Sequence, residues 1–199
     1  MAKRGGRGLW LISCAVLVIC LAWVGEANAA PQDFNQLLRG DYAFTGEAFC
    51  VISPSGFTNF TPNGEAFFRP FSIQGTRTFG GDGTGTVVFK LVGIRIGDEQ
   101  INANSAEGSG DFTYTVAPDR SVTIDQGPVT TTGVAGPGAG SVSVLTGVKF
   151  SGQLSSDGKT LIFSTEGPSV ETSTGTNPDG SPSVRYQICT RARTAIKIH

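Results

Sequence analysis

Short turns rich in glycine and aspartate recur along this chain between runs of β-branched and aromatic residues, and they constrain its fold more than any other feature. The connections GGDG (80–83), APDRS (117–121) and SSDGK (155–159) are too short to carry a crossover helix. Asp-Gly pairs supply the positive φ angles that tight hairpins require. The pattern therefore predicts an all-β fold whose strands meander in antiparallel order.

The runs between these turns define about eight predicted strands. Two of the strands are interrupted, one at Gly127-Pro128 and the other at Gly167-Pro168. A helical pattern is confined to DFNQLLRG (33–40), which predicts one short helix before the first strand. The predicted strands cover residues 41–52, 64–79, 84–96, 110–117, 121–133, 142–154, 160–174 and 183–198.

Several predicted strands are apolar on both faces. In TVVFKLVGIRI (86–96), for example, Val88 and Val92 lie on one side of the strand, and Val87 and Phe89 lie on the other. A sheet with one wet face would alternate more cleanly. Eight antiparallel strands that must hide their edges close into a barrel, with room inside for side chains or one small ligand. A two-sheet sandwich is the alternative.

Residues 1–29 predict a secretory signal peptide. A basic start precedes an apolar run (9–24), and ANA (27–29) supplies the small residues of a cleavage site. The run is shorter than the ~20 residues of a membrane-spanning helix, although a membrane anchor is the alternative. We therefore expect an exported protein, periplasmic or extracellular, that does not span a membrane after cleavage and has a single domain over residues 30–199.

Cleavage would leave Cys50 and Cys189 of the four cysteines. In an oxidising compartment this distant pair predicts one disulfide between the first and last strands. Two buried thiols or one reactive thiol are the alternatives, and the spacing excludes a Cys-x-x-Cys motif. The chain carries 15 basic and 16 acidic residues, so its charge does not predict a nucleic-acid partner.

Few residues are available for catalysis, because the only histidine is His199 at the end of the sequence. No catalytic residue, cofactor or metal is predicted: histidine-based triads and zinc sites are excluded, and each turn offers too few carboxylates for calcium. If the protein is an enzyme, Glu47, Tyr42 and Tyr186 are the residues to test. A solvent-facing Glu47 is the simpler interpretation.

The segment FFRPFSIQGTRTF places arginines among aromatic residues at every second position. Phe67, Arg69 and Phe71 alternate in phase with Arg77, although Pro70 could change that phase. If this face points into the barrel, its guanidinium groups would suit an amphipathic anion such as a carboxylated lipid or an aromatic acid. If it points outward, the arginines are surface charges.

The segment SVRYQICTRARTAIKIH (183–199) alternates between a basic and an apolar face. Taken alone, it predicts a strand with Ile188 and Ile196 buried and with Arg191 and Arg193 in water. Attraction to acidic neighbours is the simplest use of this charge, and binding of an anion or a membrane surface is the alternative.

The predicted disulfide complicates this assignment. Cys189 shares the face of the arginines, whereas Cys50 shares the face of Tyr42 and Phe44. Bonded cysteines on adjacent strands lie on one side of a sheet. Either a bulge shifts one strand, or the arginines face the same side as Tyr42 and Phe44.

The long meandering strands, the short first helix and the hairpins FGGDGTGTVVF and GKTLIFSTEG resemble the calycin-type β-barrels. Among these, the chain is most similar to secreted bacterial relatives of the allene oxide cyclase barrel, over most of residues 34–198. The resemblance implies the barrel fold and carries no mechanism by itself.

We expect a binding module for a small apolar or amphipathic ligand, with an anion as one option. A structural or interaction protein of the cell envelope, including a homo-oligomer, is the alternative, and a cyclase or isomerase is the third hypothesis. An open or a filled barrel interior separates the first two. The expected ligand-binding residues are Tyr42, Phe44, Phe67, Arg69, Phe71, Arg77, Arg191 and Arg193.

Overall fold

The computed structural model describes residues 33–97 and 101–198. The predicted signal peptide lies outside these ranges. From Phe34 onward the described residues belong to one compact unit. It begins with a single turn of 3₁₀ helix, Phe34–Leu37, where the short helix was predicted. No helix in the described ranges is long and apolar enough to cross a membrane.

The remaining regular structure is β-strand, as predicted from the turn pattern. The strands are β1 (Arg39–Ser53), β2 (Phe57–Thr58), β3 (Thr61–Pro62), β4 (Phe67–Gly80), β5 (Thr84–Ile96), β6 (Ile101–Val116), β7 (Ser121–Ala135), β8 (Val142–Thr146), β9 (Val148–Leu154), β10 (Thr160–Thr165), β11 (Glu171–Thr176) and β12 (Pro182–Lys197).

Ten of these strands form one antiparallel sheet that closes on itself. Strands β8 and β9 are two halves of one predicted strand, split at Gly147, where φ is 86°. Strands β10 and β11 are likewise the halves of another, and both pair with β12. Counting each pair of halves once gives a ring of eight strands, which confirms the predicted barrel over the sandwich.

The barrel is uneven around its wall. Strand β7 pairs with β9 up to Gln126 and with β8 from Val129 onward, so it changes partner at the predicted break, Gly127-Pro128. Strand β6 carries register shifts against β7. It also begins at Ile101, nine residues before its predicted start, because its polar first half pairs with both β5 and β7.

Aspartates stabilise the tight hairpins that the sequence marks. The carboxylate of Asp82 accepts hydrogen bonds from the backbone N–H and the hydroxyl of Thr84, at 2.9 and 2.7 Å. Asp179 accepts the same pair of bonds from Ser181. These bonds lower the pKa of both carboxyl groups. In each turn the aspartate carboxylate thus binds the residue two positions further along the chain.

One end of the barrel, here called the base, is filled by side chains. The Tyr114 hydroxyl donates to the carbonyl of Leu38 at 2.7 Å and accepts from the N–H of Gly81 at 2.8 Å. The ring of Phe79 makes edge contacts with Tyr42 and Tyr114. The 3₁₀ turn covers this end. The base comprises Leu38, Tyr42, Phe79, Tyr114, Leu154 and Leu161, all at most 3% exposed.

Strand β12 lies with its basic face inward, so the prediction of a wet basic side is wrong. Its register with β1 is continuous and contains no bulge. Cys50 lies directly opposite Cys189, with Cα atoms 4.1 Å apart, and the predicted disulfide is present. Because side chains alternate along a strand, Arg191 and Arg193 follow Cys189 into the interior. Ile196, expected inside, is 56% exposed.

Candidate functional site

Strand β4 also turns its mixed aromatic and basic face inward. Its register with β1 runs without interruption through Pro70, so the proline does not change the phase. Arg77 is 4% exposed and Phe67 is 8% exposed, whereas Phe68 on the opposite face is 45% exposed. The arginines of β4 and β12 therefore meet inside the barrel.

A cavity of about 120 Å³ lies in the middle of the barrel, here called the bore. Tyr42 lies in the base, where its hydroxyl donates to the carbonyl of Gly158. Phe67 lies at the other end of the barrel. The structure thus brings six of the eight expected ligand-binding residues together around the bore: Phe44, Arg69, Phe71, Arg77, Arg191 and Arg193.

One charge in the bore is fully compensated. Arg191 forms a two-pronged ion pair with Glu171, with its Nη2 at 2.6 Å from Oε2 and its Nη1 bonded to Oε1. Gln187 donates a further hydrogen bond to Oε2 of Glu171 at 2.8 Å. Glu171 is 1% exposed. This pair satisfies its own hydrogen bonds, as a buried ion pair must.

Arg77 has no such partner. Its Nη2 donates to Oε1 of Gln126 at 2.9 Å, and no carboxylate of the described residues lies within ion-pair distance. Its Nε and Nη1 are buried and find no acceptor among the described residues. Four aromatic rings surround the guanidinium, with centroids 4.7 to 5.7 Å from its carbon: Phe44, Phe112, Phe150 and Phe163. Such rings stabilise a cation without neutralising it.

Arg193 and Arg69 add further positive charge. Nη1 of Arg193 donates to the backbone carbonyls of Glu47 and Ala192. Nη2 of Arg69 donates to Asn104 at 3.2 Å, and its buried Nε has no acceptor among the described residues. Neither guanidinium forms an ion pair with a described carboxylate.

Burial changes the titration of these groups. It lowers the pKa of Arg77 to about 9, and the nearby charge of Arg193 acts in the same direction. Burial and the charge of Arg191 lower the pKa of Arg193 to about 9 as well. Both groups stay cationic at neutral pH. Among the described residues, four arginines line the bore, and one of them, Arg191, is paired with a glutamate.

The open end of the barrel, here called the mouth, holds a second chamber of about 260 Å³. Arg95 and Arg185 line this chamber together with Arg69. Arg69 and Gln187 line the bore as well, so the two spaces are adjacent. The mouth lies on the side of the bore opposite to the filled base.

The residues named for an enzyme do not come together. Glu47 is exposed on the outer face of β1, and Tyr42 is buried in the base. Tyr186 lies on the outer face of β12, next to the turn at Gly56. The described residues contain no group of three or more His, Cys, Asp and Glu side chains that could hold a metal ion.

Sequence reasoning missed the polar partners inside the barrel. Glu171 and Gln126 were not named, although each continues the alternation of its strand: Glu171 is in phase with Phe163, and Gln126 with Ile124. That alternation was the available signal. Alternation alone does not identify these residues, because charged and amide side chains rarely lie inside a core unless they are paired.

Comparison with known proteins gives no relative to draw on, since no protein-family model and no curated protein matches the chain.

Proposed function

We propose that this is an exported binding protein that holds a small organic anion in the bore. The observation that carries the proposal is Arg77, a buried guanidinium on the wall of a cavity: among the described residues it has no carboxylate partner, and its Nε and Nη1 have no acceptor. A buried cation of this kind is costly unless it is paired. A ligand carboxylate would supply the missing charge and acceptors.

The size of the cavity narrows the ligand class. About 120 Å³ is close to the ~150 Å³ of an engineered cavity that binds benzene and well below the ~300 Å³ of drug-sized pockets. Together with the rings of Phe44, Phe71 and Phe150, this favours a compact aromatic or short aliphatic monocarboxylate. A long carboxylated lipid would not fit in the bore alone.

Two further features support the proposal. The disulfide indicates an oxidising compartment, which agrees with export. An eight-stranded ring with a ligand in its bore is also the arrangement that the calycin-type resemblance implies, and within that group we infer likeness to the secreted allene oxide cyclase-like barrels.

The experiment is a calorimetric titration of the purified protein with benzoate and with butyrate, beside benzyl alcohol as the uncharged control. We expect saturable binding of a carboxylate and none of the alcohol. Arg77→Gln should weaken binding roughly 10- to 100-fold, the loss expected for hydrogen bonds to a charged group. Arg39→Gln, at an exposed arginine outside the bore, should leave it unchanged.

Native mass spectrometry of the protein from its own host is the complementary measurement. A bound mass that disappears in the Arg77→Gln variant would identify the ligand. Bare polypeptide under all growth conditions, together with no carboxylate binding in the titration, would refute the proposal.

A second candidate function, assembly with another copy of this chain, is favoured by an apolar row on the outer wall near the mouth. The row crosses five neighbouring strands, about 19 Å at the usual strand spacing, and Phe49 stacks on its central ring at 5.5 Å. Because the same row on two copies could pack about a two-fold axis, a homodimer is the simplest occupant. Its residues are Ile188, Val51, Phe68, Ile96 and Ile101.

Sedimentation analysis tests this candidate. The protein should sediment as a dimer that Phe68→Ser converts to a monomer, while Thr78→Ser on the same outer face of β4 leaves the dimer intact. A monomer at all concentrations would exclude it and leave the bore unaffected.

A further inference from the structure

Three arginines converge on the mouth chamber from three different strands. Arg69 comes from β4, Arg95 from β5 and Arg185 from β12. Two are fixed by asparagines, since Nη2 of Arg69 donates to Asn104 and Nη2 of Arg185 donates to Asn177, each at 3.2 Å. These hydrogen bonds orient both guanidinium groups beside the chamber.

Arg95 is fixed in a different way. Its guanidinium carbon lies 4.0 Å from the centroid of the Phe67 ring, which forms part of the chamber wall. Stacking on an aromatic face leaves the edge of the guanidinium, with its N–H groups, free to donate.

The three cations lie close enough to affect one another. Burial lowers the pKa of Arg69, and the charge of Arg185 contributes to that shift. The pKa of Arg185 is lowered by burial and by the charge of Arg95. None of the three forms an ion pair with a described carboxylate.

The described lining of the chamber contains no aspartate or glutamate. Its remaining polar groups are amides and hydroxyls, which can donate hydrogen bonds to an anion. They include Asn102, Asn104, Ser105, Ser173, Asn177 and Ser183.

We propose that the mouth chamber is a second anion site, separate from the bore, that binds a doubly charged tetrahedral oxyanion such as a phosphate or sulfate group. Three guanidinium groups approaching from different strands match several oxygens around one centre, whereas a planar carboxylate is satisfied by a single guanidinium. The surrounding amides and hydroxyls supply donors for the oxygens that the arginines do not reach. Nε of Arg69, which lines this chamber, is buried and has no acceptor among the described residues.

The two sites differ in what surrounds the cation. Arg77 in the bore lies among four phenylalanine rings, which suits the apolar body of a small acid. The mouth has polar walls and a larger volume, which suits a hydrated or hydroxyl-bearing group. Arg77 lines the bore alone and Arg185 lines the mouth alone, so variants of these two residues test the two sites separately.

The test is an NMR titration of the purified protein, in which the side-chain amides of Asn102, Asn104 and Asn177 report on the mouth. The probes are inorganic phosphate, sulfate and glycerol phosphate, with chloride at matched ionic strength as the control. We expect saturable shifts of these amides with the tetrahedral anions alone. A tighter response to glycerol phosphate than to free phosphate would identify a phosphorylated small molecule, and the reverse order would identify the free ion.

Variants locate the site. Arg185→Gln should weaken phosphate binding roughly 10- to 100-fold, and Arg185→Lys, which keeps the charge and loses the planar fork, should fall between it and the parent protein. Arg77→Gln should leave the phosphate titration unchanged, which separates this site from the bore. Equal shifts with chloride, no saturable shift in the millimolar range, or loss of binding in Arg77→Gln and not in Arg185→Gln would each overturn the proposal.

Discussion

The base and the bore of this barrel treat buried polar atoms in opposite ways. In the base, the Tyr114 hydroxyl both donates and accepts, and the side chain of Asn35 accepts from the N–H of Val116 at 2.8 Å. In the bore, Nε and Nη1 of Arg77 and Nε of Arg69 have no acceptor among the described residues. Both regions bury polar atoms, and among the described residues those named in the base have partners whereas those named in the bore do not.

This difference distinguishes a region that stabilises the fold from the region that holds the proposed binding site. The hydrogen bonds and aromatic contacts at the base of the barrel lower the free energy of the folded state. Unpaired buried cations raise it, and natural proteins retain such groups where a function needs them. The base thus stabilises the fold, and the bore holds the proposed site at the expense of stability.

Removal of the disulfide should cause the largest loss of stability, and the loss should be concentrated at the end of the barrel near the mouth. The bridge closes a 139-residue separation, so Cys50→Ala with Cys189→Ala should lower the free energy of unfolding by about 4 kcal/mol. The cysteines belong to a small cluster with Ile52 and Phe67, apart from the main core that includes the base. Amide hydrogen exchange should therefore increase towards the mouth and stay slow in the base. An equal increase in amide exchange throughout the barrel would show that the base and the mouth end do not differ in their dependence on the disulfide.

Glu171→Leu should be nearly as damaging. It leaves Arg191 unpaired beside Arg77 and Arg193, and breaking a buried ion pair in this way removes about 4 kcal/mol of stability. Urea unfolding measures the change. The control is Glu171→Leu combined with Arg191→Met, which removes both charges and should recover most of the loss. If the double variant is as unstable as the single one, the ion pair holds the wall by packing and not by charge balance.

Removal of a buried polar group should change the free energy of unfolding in opposite directions in the two regions. Arg77→Met removes an unpaired cation and should stabilise the ligand-free protein by about 2 kcal/mol. Tyr114→Phe removes a satisfied hydroxyl and should destabilise it by roughly 1 to 2 kcal/mol. Thermal unfolding of both variants without ligand measures the pair. If Arg77→Met destabilises, the aromatic rings and Gln126 satisfy the cation after all.

The smallest effect concerns pH. Arg77 and Arg193 have pKa values lowered to about 9 in the folded protein, so above that pH the folded state holds fewer protons than the unfolded state. Stability should therefore be constant up to about pH 8 and then rise by about 1 kcal/mol per pH unit. Tyr42, whose pKa burial raises to about 12, opposes this rise above pH 10.

Urea unfolding between pH 7 and 10 tests the pH prediction. The Arg77→Met variant should show about half the slope of the parent protein. A slope of zero or a falling curve in the parent protein would mean that the bore cations are solvated well enough to keep their ordinary pKa.

Much of the fold could be predicted because its signals are local. The Asp-Gly turns locate the hairpins, and the β-branched runs locate the strands between them. The first half of β6, INANSAEGS, has few such residues, and it is a strand only because β5 and β7 flank it. Such pairing is a tertiary effect that no window of sequence contains.

The site was harder to predict because its arginines lie inside the barrel, where charged side chains are rarely found. The apolar side chains of β12 favour burial of Ile188 and Ile196, yet the disulfide places the other face inside. The sequence did contain the information that decides the orientation, since Cys50 alternates in phase with Tyr42 and Phe44 whereas Cys189 alternates in phase with the arginines. The pairing of Glu171 with Arg191 was not visible in the sequence, since it depends on how β11 and β12 lie side by side.

The pairing of β1 with β12, here called the seam, closes the ring of strands. It has a consequence for the order in which the strands pair during folding. The hairpins from β4 to β7 form between near neighbours in the chain, whereas the seam joins residues such as Cys50 and Cys189, 139 positions apart. Such distant contacts form slowly. Until they form, β1 and β12 are open edges that can pair with other chains, and the interior arginines remain hydrated. Their desolvation therefore falls on the closing step, in which β1 pairs with β12.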